Sequence, residues 1–189
     1  MYFYLIRHGQ TDWNKELRLQ GQKDIPMNSD GIKQIEELSA KMAAEGVKAD
    51  RIICSPLSRA KVSANIIADK IHFEKEIIYD SDFLERDFGL LEGVVWTPEL
   101  NLNDPKYNAE SVQVICDRAK RALEKYDFSQ SEKVIIVAHG AILSAVKSVL
   151  SKGILDYDDR TVPIIQGNVL CCEMGLKEKV SFTQLFPLE

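Results

Sequence analysis

Two short runs decide most of what this chain can become. Tyr2 to Ile6 reads Tyr-Phe-Tyr-Leu-Ile, and Lys133 to Ala138 reads Lys-Val-Ile-Ile-Val-Ala. Neither run alternates apolar with polar residues, so neither fits a strand with one wet face. Continuous branched and aromatic runs of this length suit strands buried on both sides in a parallel sheet. Each ends in the same dipeptide: His8-Gly9 (preceded by Arg7) in the first, His139-Gly140 in the second. Ligands of open α/β sheets bind beyond the carboxyl ends of the strands. The chain has 3 histidines, and two of them stand at these equivalent ends. A lone strand-end histidine is more often a turn filler, whereas a matched pair with an arginine points to chemistry. Gly9 permits a sharp turn and a close approach of backbone to ligand.

Between these runs the chain alternates helix and strand signals. Asn28 or Ser29 caps a helix running to about Glu45, with Ile32, Ile35, Leu38 and Met42 at helical spacing and Gly46 as its stop. Arg51 to Cys54 reads as a strand. Ser55 then caps a helix with Pro56 at its first position, and Ala60, Ala64, Ile67 and Ala68 make its packing face. Arg59 falls in the first turn of that helix, where free N–H groups and the positive dipole end favour a phosphate. Ile77 to Tyr79 is a brief strand, Ser111 to Tyr126 and Ala141 to Leu150 are helices, and Asn168 to Glu173 with Lys179 to Leu185 form a terminal hairpin around 174–178. This order predicts an α/β fold, a three-layer α/β/α sandwich with a mostly parallel central sheet, in one unit spanning residues 1–189. Loops fill 10–29, 83–93 and 157–167, and 94–109 reads as irregular, with Pro98 and Pro105 inside it. A long loop beside a presumed site is more often functional than idle.

Composition excludes several classes of function. The net charge of -5 argues against a nucleic-acid partner, which needs a basic footprint. It does not exclude an anionic small substrate, because a local cluster of arginine and histidine opposes the overall sign. No apolar run approaches the ~20 residues that span a bilayer, and the N-terminus reads as a strand rather than a leader. Cys54, Cys116, Cys171 and Cys172 show no Cys-x-x-Cys spacing and suit small thiols in a reducing compartment, so a cytoplasmic location with no membrane partner is expected.

Four stretches occur in a fixed order: Arg7-His8-Gly9, Ser55-Pro56-Leu57-Ser58-Arg59-Ala60, Leu84-Glu85-Arg86-Asp87-Phe88-Gly89-Leu90-Leu91-Glu92-Gly93, and Ala138-His139-Gly140. Together they resemble the histidine phosphatase superfamily, the phosphoglycerate mutase-like proteins, over nearly the whole chain. The resemblance implies that His8 is the residue phosphorylated, that Glu85 is the acid, and that Arg7, Arg59 and His139 bind the phosphoryl group. The chemistry of those side chains agrees. A phosphoryl group in transfer carries charge on three equatorial oxygens, and Arg7 and Arg59 offer permanently charged forks that match them. His139, once protonated, adds a third positive donor. His8 has to present a neutral ring nitrogen, its other nitrogen fixed by an acceptor such as a backbone carbonyl. Glu85 would protonate the leaving oxygen and then deprotonate the attacking water.

The resemblance also extends to candidates for phosphate or substrate contact. Asn14 matches an asparagine that touches phosphate, Gln20 and Gly21 match a substrate loop, and Asn168 stands where it could donate from the start of a late strand. Arg86, directly after Glu85, is similar to the mutase arginine that holds a substrate carboxylate. Asp87 and Phe88 stand where that pattern has His and Tyr. No metal is expected: Asp156-Tyr157-Asp158-Asp159 matches no ligand loop and reads as a solvated turn. No cofactor is required, and the number of subunits is left unspecified.

The stretch from Val94 to Ala109 is short beside the insertions of the mutases, which predicts a small lid at about 94–109 and an open pocket. Water then reaches the intermediate, and the expected activity is hydrolysis of a small phosphorylated substrate. A cofactor-dependent phosphoglycerate mutase and a non-catalytic phosphoryl-binding protein are the alternatives.

Overall fold

The computed structural model describes residues 1–129, 131–175 and 179–186. Six strands form one sheet: β1 (Tyr2–Arg7), β2 (Arg51–Cys54), β3 (Ile78–Tyr79), β4 (Lys133–Ala138), β5 (Val169–Met174) and β6 (Val180–Gln184), in the order β3-β2-β4-β1-β5-β6. The first four in that order are mutually parallel, while β5 runs antiparallel to both β1 and β6. The helices are α1 (Asp12–Lys15), α2 (Ser29–Ala44), α3 (Ser58–Lys70), α4 (Val112–Glu124) and α5 (Gly140–Leu150).

The two unbroken apolar runs, β1 and β4, are neighbours at the centre of the sheet. Side chains alternate across a strand, so each run supplies both cores. Phe3, Leu5, Val134, Ile136 and Ala138 pack with Ile115, Ala119 and Ala122 of α4 and with Leu143 and Val146 of α5. Tyr4, Ile6, Ile135 and Val137 pack with Ile35, Leu38 and Met42 of α2 and with Ala60, Ala64 and Ile67 of α3. This is the expected three-layer α/β/α sandwich with a mostly parallel sheet. No described helix is long and apolar enough to cross a membrane.

The packing face of α2 and the start of α3 differ from the sequence reading. Asn28 caps α2 by accepting the Gly31 N–H at 2.8 Å, but Ile32 turns outward and Gly31 replaces it against the core. Helix α3 starts at Ser58 and not at Pro56, because Ser55 continues the sheet by donating its N–H to Val137 at 3.0 Å. Leu57, the residue before the helix, has no side-chain cap to offer, and Asp24 from the 10–29 loop accepts the Ser58 N–H at 2.7 Å instead. The terminal hairpin is present as β5 and β6, and most of its turn, 176–178, lies outside the described residues.

Two glycines bring α2 against the turn after β1. A Cβ on Gly31 would collide with the backbone of Gln10, and one on Gly9 would collide with the carbonyl of Gly31. Alanine at Gly31 would gain roughly 1 kcal/mol in helix propensity, but a clash with backbone has no flexible side chain to absorb it and costs about 1–3 kcal/mol. Gly31→Ala is therefore expected to lower the urea midpoint, and a raised midpoint would show that α2 slides freely.

Candidate active site

The register of the two central strands creates the site. Arg7 pairs with Ala138, and the ladder continues one step further, with the His8 N–H donating to the Ala138 carbonyl at 3.0 Å. His8 and His139 therefore leave the sheet side by side, their ring centroids 5.1 Å apart. Both are buried. His8 Nδ1 lies 2.7 Å from the Gly9 carbonyl. A carbonyl only accepts, so Nδ1 carries the proton and Nε2 is left as a bare lone pair. Burial, then the charges of Arg59 and Arg7, hold the His8 pKa well below the usual 6.5.

Burial first, then Arg59, His8 and Arg7, push the His139 pKa well below 6.5. Its Nε2 lies 2.7 Å from Ser55 Oγ, and Ser55 Oγ also takes the Leu57 N–H at 3.4 Å. With the hydroxyl donating to Nε2, the ring proton sits on Nδ1, which is buried without a partner among the described residues. His139 thus offers a donor. Ser55, read from sequence as a helix cap, instead orients this ring.

The two arginines complete a ring of donors. Gly140 lies against the Arg7 guanidinium: a Cβ there would be 3.6 Å from Cζ. Arg59 is fully buried and donates to the carbonyls of Lys23 at 2.7 Å and Gly21 at 2.8 Å. Arg7 Nε and Arg59 Nε, like His139 Nδ1, are buried with no partner among the described residues. Buried polar groups are ordinarily satisfied, and three orphaned nitrogens beside one bare imidazole mark a place built for an anion. Burial pulls the pKa of Arg59 down to about 10, against the opposing charges of Glu85 and Asp24, and that of Arg7 down as well.

Glu85 lies in the loop after β3, as its sequence context suggested, but its carboxylate sits on the first turn of α5. Oε1 accepts the N–H groups of Ala141 at 3.0 Å, Ile142 at 3.1 Å and Arg86 at 3.0 Å. The loop is fixed from behind by Arg118 of α4, which donates to the carbonyls of Asp82, Leu84 and Glu85 and pairs with Glu110 at 2.7 Å. Sequence reading passed over Arg118. Its one signal was a charge at Ile115 plus three, on the margin of the apolar stripe of α4.

The remaining candidates divide. Asn14 lines a cleft with Arg7, but its Oδ1 is taken by Thr11 in a capping box and by Gln166, leaving only the amide NH2 for a ligand. Gln166, also missed from sequence, joins it to the His8 carbonyl at 2.9 Å. Gly21 holds φ +54 and gives its carbonyl to Arg59, while Gln20 is buried beside it with Oε1 unpartnered among the described residues. Two candidates are corrected. Arg86 does not face the cleft: its guanidinium donates to the carbonyls of Glu110 and Leu102 and to Asn103 Oδ1, and lies over Phe88. Asn168 does not face it either, because its amide ties the Val169 N–H and both backbone groups of Phe186. Among the described residues no group of three or more His, Cys, Asp or Glu could hold a metal.

The family model of the histidine phosphatase superfamily (branch 1) matches residues 3–175, which include all four motifs. The chain belongs to the histidine phosphatase superfamily. PhoE of Bacillus subtilis, named an uncharacterized phosphatase, is 36% identical over 156 residues, 79% of this chain and 77% of its own. GpmB of Escherichia coli, provisionally named a phosphoglycerate mutase, is 33% identical over 161 residues, 78% of this chain and 73% of its own. Among solved structures, an Escherichia coli protein provisionally assigned as an alpha-ribazole-5'-P phosphatase superposes with a TM-score of 0.81 at 22% identity, covering 98% of this chain and 96% of that one. That last likeness speaks for the fold, the phosphoglycerate mutase-like one.

Two measurements follow from this geometry. The Arg118–Glu110 pair has side chains 11% and 9% exposed. Arg118→Ala strands a buried carboxylate and is expected to cost about 3–5 kcal/mol in urea unfolding, against well under 1 kcal/mol for a surface pair. Both histidine rings have native pKa values below the ordinary 6.5. Between that value and the native ones the unfolded chain binds more protons than the native chain. The associated stability is complete above the ordinary value and declines on acidification, at up to about 1.4 kcal/mol per pH unit for each ring. Unfolding free energies at several pH values should show that slope, and His139→Asn should flatten it.

Proposed function

We propose that the protein is a metal-independent phosphomonoester hydrolase that works through a phosphohistidine on His8 Nε2. One observation carries the reading: the 2.7 Å contact of His8 Nδ1 with Gly9 O, which leaves Nε2 unprotonated in a site where Arg7 Nε, Arg59 Nε and His139 Nδ1 are buried without a partner among the described residues. In the first step the Nε2 lone pair forms the N–P bond as the P–O bond to the leaving group breaks. The leaving oxygen takes a proton from Glu85. In the second step water forms the new P–O bond, Glu85 takes its proton, and the P–N electron pair returns to His8. The sum is ester plus water giving alcohol plus phosphate. Arg7, Arg59 and His139 Nδ1–H stabilise the equatorial oxygens in both steps. Asn14 adds its amide donor from the cleft side.

The segment 94–109 acts as a small lid, one wall of the cleft through Trp96 and Leu102, and Arg86 pins it at Leu102 and Asn103. The likeness to a Bacillus subtilis protein named as a phosphatase supports hydrolysis. The likeness to GpmB favours phosphoglycerate mutase action as a second reading. Against it, the Arg86 guanidinium that would hold a substrate carboxylate is taken up by the protein's own carbonyls, and Phe88 is packed under it. Four free cysteine thiols fit a reducing, cytoplasmic setting.

An aryl phosphate assay with chelator present tests the reading. Wild type is expected to turn over, His8→Ala to lose turnover, and Glu85→Gln to lose about 10²–10⁴-fold in kcat. Turnover that needed added metal, or that survived in His8→Ala, would sink the mechanism. Tight phosphate binding that is indifferent to Glu85→Gln, with no turnover in wild type, would make the chain a binding protein.

A further inference from the structure

Arg160 stands apart from the machinery described so far. It lines both cavities that meet at Arg7: a pocket of about 210 Å³ over the first turn of α5, and a cleft of about 700 Å³ walled by the 94–109 segment. It is exposed, and among the described residues it makes no hydrogen bond or ion pair. The nearest acid in sequence, Asp159, turns its carboxylate away, accepting the Thr161 N–H at 2.8 Å and its hydroxyl.

The turn that carries Arg160 is held firmly. Lys147 of α5 is 1% exposed and directs its ammonium to the carbonyls of Asp159 at 2.8 Å and Val162 at 2.9 Å. Burying a lysine is costly unless its donors are satisfied, and here they clamp the chain on both sides of Arg160. The guanidinium therefore projects from a fixed base.

The cleft has the complementary chemistry. Its lining includes Arg7, Arg18 and Arg160 and no carboxylate, in a chain of net charge -5. The opposite wall is apolar, with Leu17 62% and Trp96 43% exposed. Arg7 is assigned to the phosphoryl group in the reading above, and Arg18 is engaged by Glu16 and the Gly93 carbonyl. Arg160 is left as the cation with nothing to bind.

We infer that the preferred substrate is a phosphomonoester whose leaving group has an apolar body and a second anionic group, the body resting on Leu17 and Trp96 and the anion pairing with Arg160. This rests on the phosphatase reading above. The shared chemistry is an oxyanion, which a carboxylate or a second phosphate-like group supplies equally.

The test compares aryl phosphates that differ only in charge. Carboxyphenyl phosphate (meta and para isomers) is set against the matching carbamoylphenyl phosphate, an isostere of similar electronic effect and no charge. A phosphonate-bearing phenyl phosphate separates the phosphate-like source from the carboxylate. Wild type is expected to prefer an anionic ester over its neutral partner in kcat/KM by about two- to fivefold, the worth of one exposed ion pair. Arg160→Gln should erase that ratio, and Arg160→Glu should turn it toward an aminomethylphenyl phosphate. Equal kcat/KM for charged and neutral esters, or a ratio that Arg160→Gln leaves intact, overturns the inference while the phosphatase reading stands. Absence of turnover on every ester removes that reading instead. Calorimetry with the corresponding non-hydrolysable aryl phosphonates then decides the Arg160 pairing by the same ratios.

Discussion

The site depends on one backbone hydrogen bond, from the His8 N–H to the Ala138 carbonyl. It extends the parallel pairing of β1 and β4 by one residue past the strands, and so places two histidines on neighbouring strand ends. A register slip by one residue would turn each side chain to the other face of the sheet and separate the rings. The register is fixed because β1 and β4 bury both faces, so the stability of the double core is also the alignment of the chemistry.

Collecting two arginines and two imidazoles in one buried place carries an electrostatic penalty, and the protein answers it in two ways. Burial and the arginine charges pull both histidine pKa values down, which suits a nucleophile. Two carboxylates stand at helix starts on either side: Glu85 on α5 and Asp24 on α3. Both lower the cost of burying Arg59 by their opposite charge. Anions belong at such helix ends, so each acid serves a helix and an arginine together. The phosphate-binding helix end foreseen at α3 is thereby capped from within, and Arg59 reaches the site through its side chain alone.

A second layer joins the acid loop to the cleft wall. Arg118 and Glu110 hold the backbone of Leu84 and Glu85, and Arg86 ties the same loop to Leu102, Asn103 and Glu110. Glu85 is thus not a free loop carboxylate, and the segment that walls the cleft cannot shift without straining its neighbour. An Arg next to Glu85 looks like a substrate ligand in sequence; in space it is a strut.

Much was legible in the sequence. The strand runs, the His-Gly ends, the motif order and the fold class follow from local pattern, because strand periodicity and turn residues are short-range properties. Arg7 and His8 at the end of β1, His139 at the end of β4, Arg59 in α3 after β2 and Glu85 in the loop after β3 all come to the same end of the sheet. The sequence could not reveal which way polar side chains turn once packed. Ser55 serves His139 rather than its helix, Asn168 serves Phe186, and Arg118, Gln166 and Lys147 support the site from positions with no local signature. Most of their partners lie a dozen or more residues away in the chain, so only the packing of helices on the sheet decides them. The sequence by itself determined the sheet and the order of the four motifs. The tertiary structure alone decided the lowered pKa values of the two histidines, the occupation of the helix ends and the freedom of Arg160, because each is set by burial and by charges brought close through folding.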